Sequence, residues 1–260
     1  MVMQHVPPQS LCSLPSRQSY TLSFLSLTPT DGSLINASAP HLVPLLPTIL
    51  DAVYTKLLSY DITSQAFAPI RPNDQNGRWS PNDEKSAVGE PHLQHENILR
   101  RKDFLRAYLL KLAKNEDWTA DSKIWQYMDD VAVLHTGSLP ASKISNASRG
   151  KARPKHAVPR VEYIHLGLLL AYVEELVASA VMDLDGVEVE TKKGVILAWN
   201  KLLWVQNDLF ARRYVVDEGS GERPQGWVGG KERRRERDIA GCLGFLFGVM
   251  GLWIFMKICS

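Results

Sequence analysis

The chain has 260 residues, with 30 Lys and Arg against 28 Asp and Glu for a net charge of +2, so it holds one ordinary domain with appendages or at most two small ones. The basic residues are not gathered along its length, which argues against a nucleic-acid partner. Cys12, Cys242 and Cys259 make neither a disulfide framework nor a CxxC zinc site.

The opening stretch lacks a positively charged start followed by an apolar run, which argues against a cleaved secretory signal. Residues 1–28, rich in Ser, Pro and Leu without a period, read as a frayed, disordered arm. Thr28-Pro29-Thr30-Asp31 reads as a helix start, with Pro near the first turn and a carboxylate at the positive end of the dipole. Pro40, Pro44 and Pro47 break that helix. From Thr48, the residues Ile49, Leu50, Val53, Tyr54, Leu57 and Leu58 fall at the spacing of a short amphipathic helix. Residues 68–93, with Pro, Asn, Asp and Gly throughout, read as a long surface loop.

A further helix carries Ile98, Leu105, Leu109 and Leu112 on one stripe, with Phe104 and Tyr108 on its shoulder. The next starts near Thr119 or Asp121. Its stripe is Trp125, Met128, Val131 or Ala132, and His135, with Asp129 and Asp130 expected to point away. Gly137 and Pro140 stop it. Residues 138–157 read as a solvated loop, and Pro159 opens a helix apolar nearly all round, expected to be central and buried. Thr191 to Tyr214 forms the last long amphipathic helix. Without a strand run or an internal repeat, the fold class is all-α.

Residues 217–238 form a hydrophilic linker that ends in the basic run Lys231 to Arg237. Ile239 to Met256 then has no charge over eighteen residues, roughly 27 Å of helix, about the thickness of a thin bilayer. This predicts a transmembrane helix over 239–258, with the basic run on the cytoplasmic face. The protein is then tail-anchored in a membrane and its main domain faces the cytoplasm, where the sequons at Asn36 and Asn146 stay unmodified. Gly241, Gly244, Gly248 and Gly251 recur at three-and-four spacing, which suits a homodimer of spans.

Of the seven histidines, His5, His41, His92, His95 and His156 read as solvated surface, and His165 as a core imidazole. His135 differs because it ends an apolar stripe just before a Gly/Pro stop. Such a position aims a neutral imidazole into an apolar space while the helix end offers its other nitrogen a carbonyl, the arrangement that suits a haem-ligating histidine. A plain core role for the same residue is the alternative.

The segments Val131-Ala-Val-Leu-His-Thr-Gly137, Val158-Pro-Arg-Val-Glu-Tyr-Ile-His165 and Ala198-Trp-Asn-Lys-Leu-Leu203 resemble, in order, the protoglobin and globin-coupled sensor family. Upstream, Ile49-Leu-Asp-Ala-Val-Tyr54 and Arg101-Lys-Asp-Phe-Leu-Arg106 are similar to its second-helix and distal-helix motifs. The resemblance covers roughly residues 29–215 and implies a globin-like helical bundle of the protoglobin type over 29–216, holding haem b. It implies His135 as the iron ligand, Tyr54 as the hydrogen-bond donor to a bound gas and Phe104 as an apolar wall over the haem. Leu169 stands where the family commonly has an aromatic pocket residue. The implied function is binding of oxygen, carbon monoxide or nitric oxide. Two alternatives stand beside it. One is a haem enzyme for nitric oxide or nitrite chemistry fed by a reductase partner, because no flavin or nicotinamide motif is present. The other is a haem-free, membrane-anchored helical adaptor.

Overall fold

The computed structural model describes residues 3–64, 67, 92–138 and 160–215. All of them lie in the first of two units, Met1–Gly226 and Trp227–Ser260. The linker and span expected over 217–258, and most of the two long loops, lie outside the described residues.

Eight α-helices are described: α1 (Leu14–Phe24), α2 (Pro29–Leu42), α3 (Leu46–Leu58), the single turn α4 (Asp61–Ser64), α5 (Glu96–Ala113), α6 (Lys123–His135), α7 (Tyr163–Met182) and α8 (Val189–Tyr214). No strand occurs among the described residues, and the fold is all-helical and globin-like. The arm expected over residues 1–28 is instead largely helical. Ser13 caps α1 by accepting from the Ser16 N–H at 3.3 Å, and Pro15 sits in the first turn. Gln18 and Leu22 are buried, and Arg17 grips Asp208 of α8 through two hydrogen bonds of 2.8 and 2.6 Å. A short polar helix held largely by polar contacts to α8 leaves no apolar period to read.

The start of α2 lies where the sequence puts it. The Asp31 carboxylate accepts from both the backbone N–H and the hydroxyl of Thr28, at 2.8 and 2.9 Å. Gly32 follows because the Trp118 indole lies against its Cα, where a Cβ would overlap the ring. Pro40 lies inside α2 without ending it, but α2 stops at Leu42, where a 3-10 turn over Val43–Leu45 holds Pro44, and Pro47 sits in the first turn of α3.

The core gathers around α8, which packs against α7, α2, α6 and α1. Val195, Ala198, Trp199, Leu202, Leu203, Val205, Leu209 and Phe210 are all buried, which is why this helix is apolar on more than one side. The expectation that α7 is buried all round is corrected. Leu166, Val173, Val177 and Val181 make one buried stripe, while Ile164 and Leu168 are 63% and 65% exposed. Pro29–Leu58 and Tyr163–Met182 are long and apolar enough to cross a membrane, yet both send side chains into the shared core.

Candidate functional site

His135 is the last residue of α6, and Gly137 follows at a φ of 81°, the left-handed conformation that ends helices without a Cβ penalty. The imidazole Nδ1 lies 2.8 Å from the Val131 carbonyl one turn back. A carbonyl only accepts, so Nδ1 carries the proton and Nε2 is left with its lone pair. Among the described residues no hydrogen bond engages Nε2. Burial pushes the imidazole pKa down, the Val131 bond opposes this, and the charge of Arg101 adds to the lowering. The ring is therefore held neutral with one nitrogen spoken for. The Phe210 ring of α8 meets it nearly edge-on, with centroids 5.3 Å apart at 73°, which fixes its plane.

The end of α6 is also tied down through its backbone. The His135 carbonyl accepts from the Val161 N–H at 2.9 Å and lies 2.8 Å from the Tyr214 hydroxyl, which is 2.7 Å from the Val161 carbonyl. Three distant parts of the chain thus meet at one orphan helix-end carbonyl.

Tyr54 of α3 is 6% exposed, with the Phe67 ring packed edge-on at 5.8 Å. Burial pushes its phenol up to about 12, while the charge of Arg101 pulls the other way. Its hydroxyl has no hydrogen-bond partner among the described residues. Tyr54 and His135 lie on different helices, and both are within electrostatic reach of one guanidinium.

Phe104 does not face the core: it is 68% exposed. The inner face of α5 runs through Ile98, Arg101, Leu105, Tyr108, Leu109 and Leu112, and position 104 lies about a quarter-turn round from it. Leu105, partly buried against the core, is the apolar residue facing inward at that level. Leu169 is partly buried against the same core, one turn before Tyr172. Trp199 is core, its indole donating to the Ser38 hydroxyl at 3.1 Å, and Trp204 is exposed.

The sequence reading missed Arg101, Phe210 and Tyr214 as neighbours of the site. Arg101 was hidden in the run Arg100-Arg101-Lys102, although its spacing to Ile98 and Leu105 puts it on the apolar stripe. Nothing in the sequence pairs Tyr214 with a carbonyl 79 residues away.

A family model, Protoglobin, matches residues 14–219. The chain belongs to the protoglobin family. The match takes in α1, which the sequence resemblance had left outside. No curated protein matches the chain. The family is one of haem-binding, globin-like proteins, and the residues present fit that group. Among the described residues, a neutral imidazole whose Nε2 takes no hydrogen bond, held against an aromatic edge, and a buried phenol with no hydrogen-bond partner are donors compatible with a haem group.

Proposed function

We propose that this protoglobin binds haem b through His135 and takes up a diatomic gas under the Tyr54 hydroxyl. The observation that carries the reading is the Nδ1 bond to the Val131 carbonyl, which leaves Nε2 free in a neutral ring. Haem, when bound, supplies an iron whose sixth position is open to oxygen, carbon monoxide or nitric oxide. Everything else is the work of the chain. His135 donates its Nε2 lone pair, and the backbone bond at Nδ1 makes it a stronger donor. Phe210 holds the imidazole plane. Tyr54, kept neutral by burial, offers its proton to whatever partial negative charge the gas carries, which favours oxygen over carbon monoxide by about 1–3 kcal/mol. Phe67, packed edge-on against the Tyr54 ring, keeps water from that side of the phenol.

The test is the absorption spectrum of the full chain loaded with haem, with and without reductant and carbon monoxide. A Soret band that shifts with carbon monoxide supports the proposal, and His135→Ala is expected to weaken haem binding about 10–100-fold or more. Unchanged binding and spectrum in that variant would overturn His135 as the ligand.

The uncharged run after Ile239 supports a second element of the proposal: a helix over 239–258 that anchors the protein in a membrane with Lys231–Arg237 and the globin on the cytoplasmic side. The glycine stripe in that run supports a homodimer. Expressed in cells, the full chain should stay with membranes through alkaline carbonate washing, whereas a chain ending at Gly226 should not. Release of both would sink the anchor.

A further inference from the structure

The residue that caps α5 is a histidine. His95, which the sequence reads as solvated surface, stands just before the helix at φ −65° and ψ 136°, and its Nδ1 accepts from the Asn97 N–H at 3.2 Å. Its carbonyl accepts from the N–H groups of Ile98 and Leu99 at 2.8 and 3.0 Å. The common caps, Ser, Thr, Asp and Asn, keep an oxygen lone pair throughout the neutral range. An imidazole Nδ1 accepts only while it is unprotonated. Protonation removes the acceptor and sets a cation at the positive end of the helix dipole, so both effects loosen the same turn. Imidazole is also the side chain that changes charge between about pH 5 and 8. The turn so held reaches the core: Ile98, the third residue of α5, is fully buried in the cluster that contains Tyr54 and Phe67.

Among the described residues, the Asn97 N–H and the His92 ring are the groups that meet the His95 imidazole, the two rings nearly perpendicular with centroids 6.0 Å apart. The charges nearby have partners of their own. Glu96 accepts from Arg100 at 2.6 Å. On the α3 side Asp51 accepts from Lys102 at 2.7 Å, and Lys56 lies over the Tyr60 and Tyr172 rings. The other helix packed closely on α5 is α2, which meets its far end, where Asn36 donates to the Ala113 carbonyl at 2.8 Å. Its titratable groups are Asp31, held by Thr28 and Lys201, and the exposed His41. We propose that His95 is an acid-operated latch: its protonation frees the first turn of α5, lets Ile98 open by local unfolding and speeds ligand entry beside Tyr54. The bearing on ligand entry rests on the haem reading above, whereas the latch itself does not.

Amide hydrogen exchange of the full chain tests this at about pH 8 and pH 5, read as protection factors corrected for the intrinsic pH dependence of exchange. The comparison takes wild type, His95→Asn, His95→Ala and His92→Asn. In wild type, protection over residues 97–100 is expected to fall about 5–10-fold at the lower pH, the size of a lost cap joined to an adverse dipole, while α8 stays unchanged. His95→Asn, which caps without titrating, is expected to be flat. His95→Ala should be weakly protected at both pH values, and His92→Asn should keep the wild-type fall. In the haem-loaded chain, carbon monoxide association after flash photolysis should quicken at the lower pH by up to the same factor, and should not in His95→Asn. Protection that stays flat in wild type, or falls equally in His95→Asn, overturns the inference. So does a fall in protection with carbon monoxide association unchanged. A chain that takes up no haem fails the proposed function instead, and the exchange measurement, which needs no haem, keeps the two failures apart.

Discussion

Asp129 shows how a single side chain can be placed on the wrong face by reading charge as exposure. It is 2% exposed, and its carboxylate holds both Arg212, at 3.1 Å, and Arg213, at 3.2 Å from Nε. Arg212 also donates to the Cys12 carbonyl at 3.0 Å, so the group joins α6, the end of α8 and the start of the chain. The sequence expectation sent Asp129 outward with Asp130 because an acidic pair on an amphipathic helix usually faces solvent. The partners that reverse this lie more than eighty residues downstream, beyond the reach of any local period. Removing the carboxylate leaves two cations partly buried and uncompensated. Asp129→Ala is therefore expected to lower stability by about 3–5 kcal/mol, read as a shift in urea midpoint at unchanged slope. A loss below about 1 kcal/mol would show that the pair is solvated.

At the scale of elements, helices that announce themselves chemically were legible and helices held by tertiary contacts were not. Thr28 to Asp31 carries a local signal, a reciprocal cap, and α2 begins there. The apolar stripes of α3, α5, α6 and α8 likewise follow from 3.6-residue spacing. By contrast α1 owes its place to Arg17 and Asp208, a contact across 191 positions. Phe104 was misplaced because a family motif fixes residue types and order, while a quarter-turn of helix decides which side chain faces in. The cap of α2 has a pH consequence. Burial alone would raise the Asp31 pKa, but hydrogen bonds from Lys201, 2.7 Å away, and from Thr28 outweigh it and hold the group below its ordinary value of 3.8. A carboxylate depressed in the folded state stabilises fully above its unfolded pKa and loses that contribution as pH falls through the folded one. Asp31→Ala is expected to cost about 1–2 kcal/mol at neutral pH. The gap from wild type should hold down to about pH 4 and close below it. A gap that persists unchanged at pH 2 would mean the charge is not what matters.

At the scale of the whole molecule, the order of segments told more than any one of them: a histidine ending one helix, an Ala-Trp-x-Lys helix last, a tyrosine on the second predicted helix. That order points to the globin-like frame of the protoglobin family, which the family match over residues 14–219 bears out. It could not show how His135, the proposed haem ligand, is braced, because the brace is made at the far end of α8. The Tyr214 hydroxyl shares its proton between the carbonyls of His135 and Val161 and thereby clamps the end of α6 to the segment that begins α7. Tyr214→Phe keeps the ring and its neighbour Tyr163, with centroids 5.9 Å apart, and deletes only the clamp. The expected cost is about 1–2 kcal/mol of stability. Burial pushes the Tyr214 phenol up to about 12 from its ordinary 10. The neutral hydroxyl therefore stabilises fully below pH 10, and the contribution is lost as pH rises from 10 to about 12. The difference between wild type and Tyr214→Phe should accordingly be flat from pH 7 to 10 and shrink above it. With the clamp gone the His135 backbone is freer, so haem loaded into the variant should pass to an excess of a haem-free globin up to about tenfold faster, the rate equivalent of the lost bond. Equal transfer rates alongside the expected loss of stability would show that the clamp serves the fold and leaves the imidazole where it was.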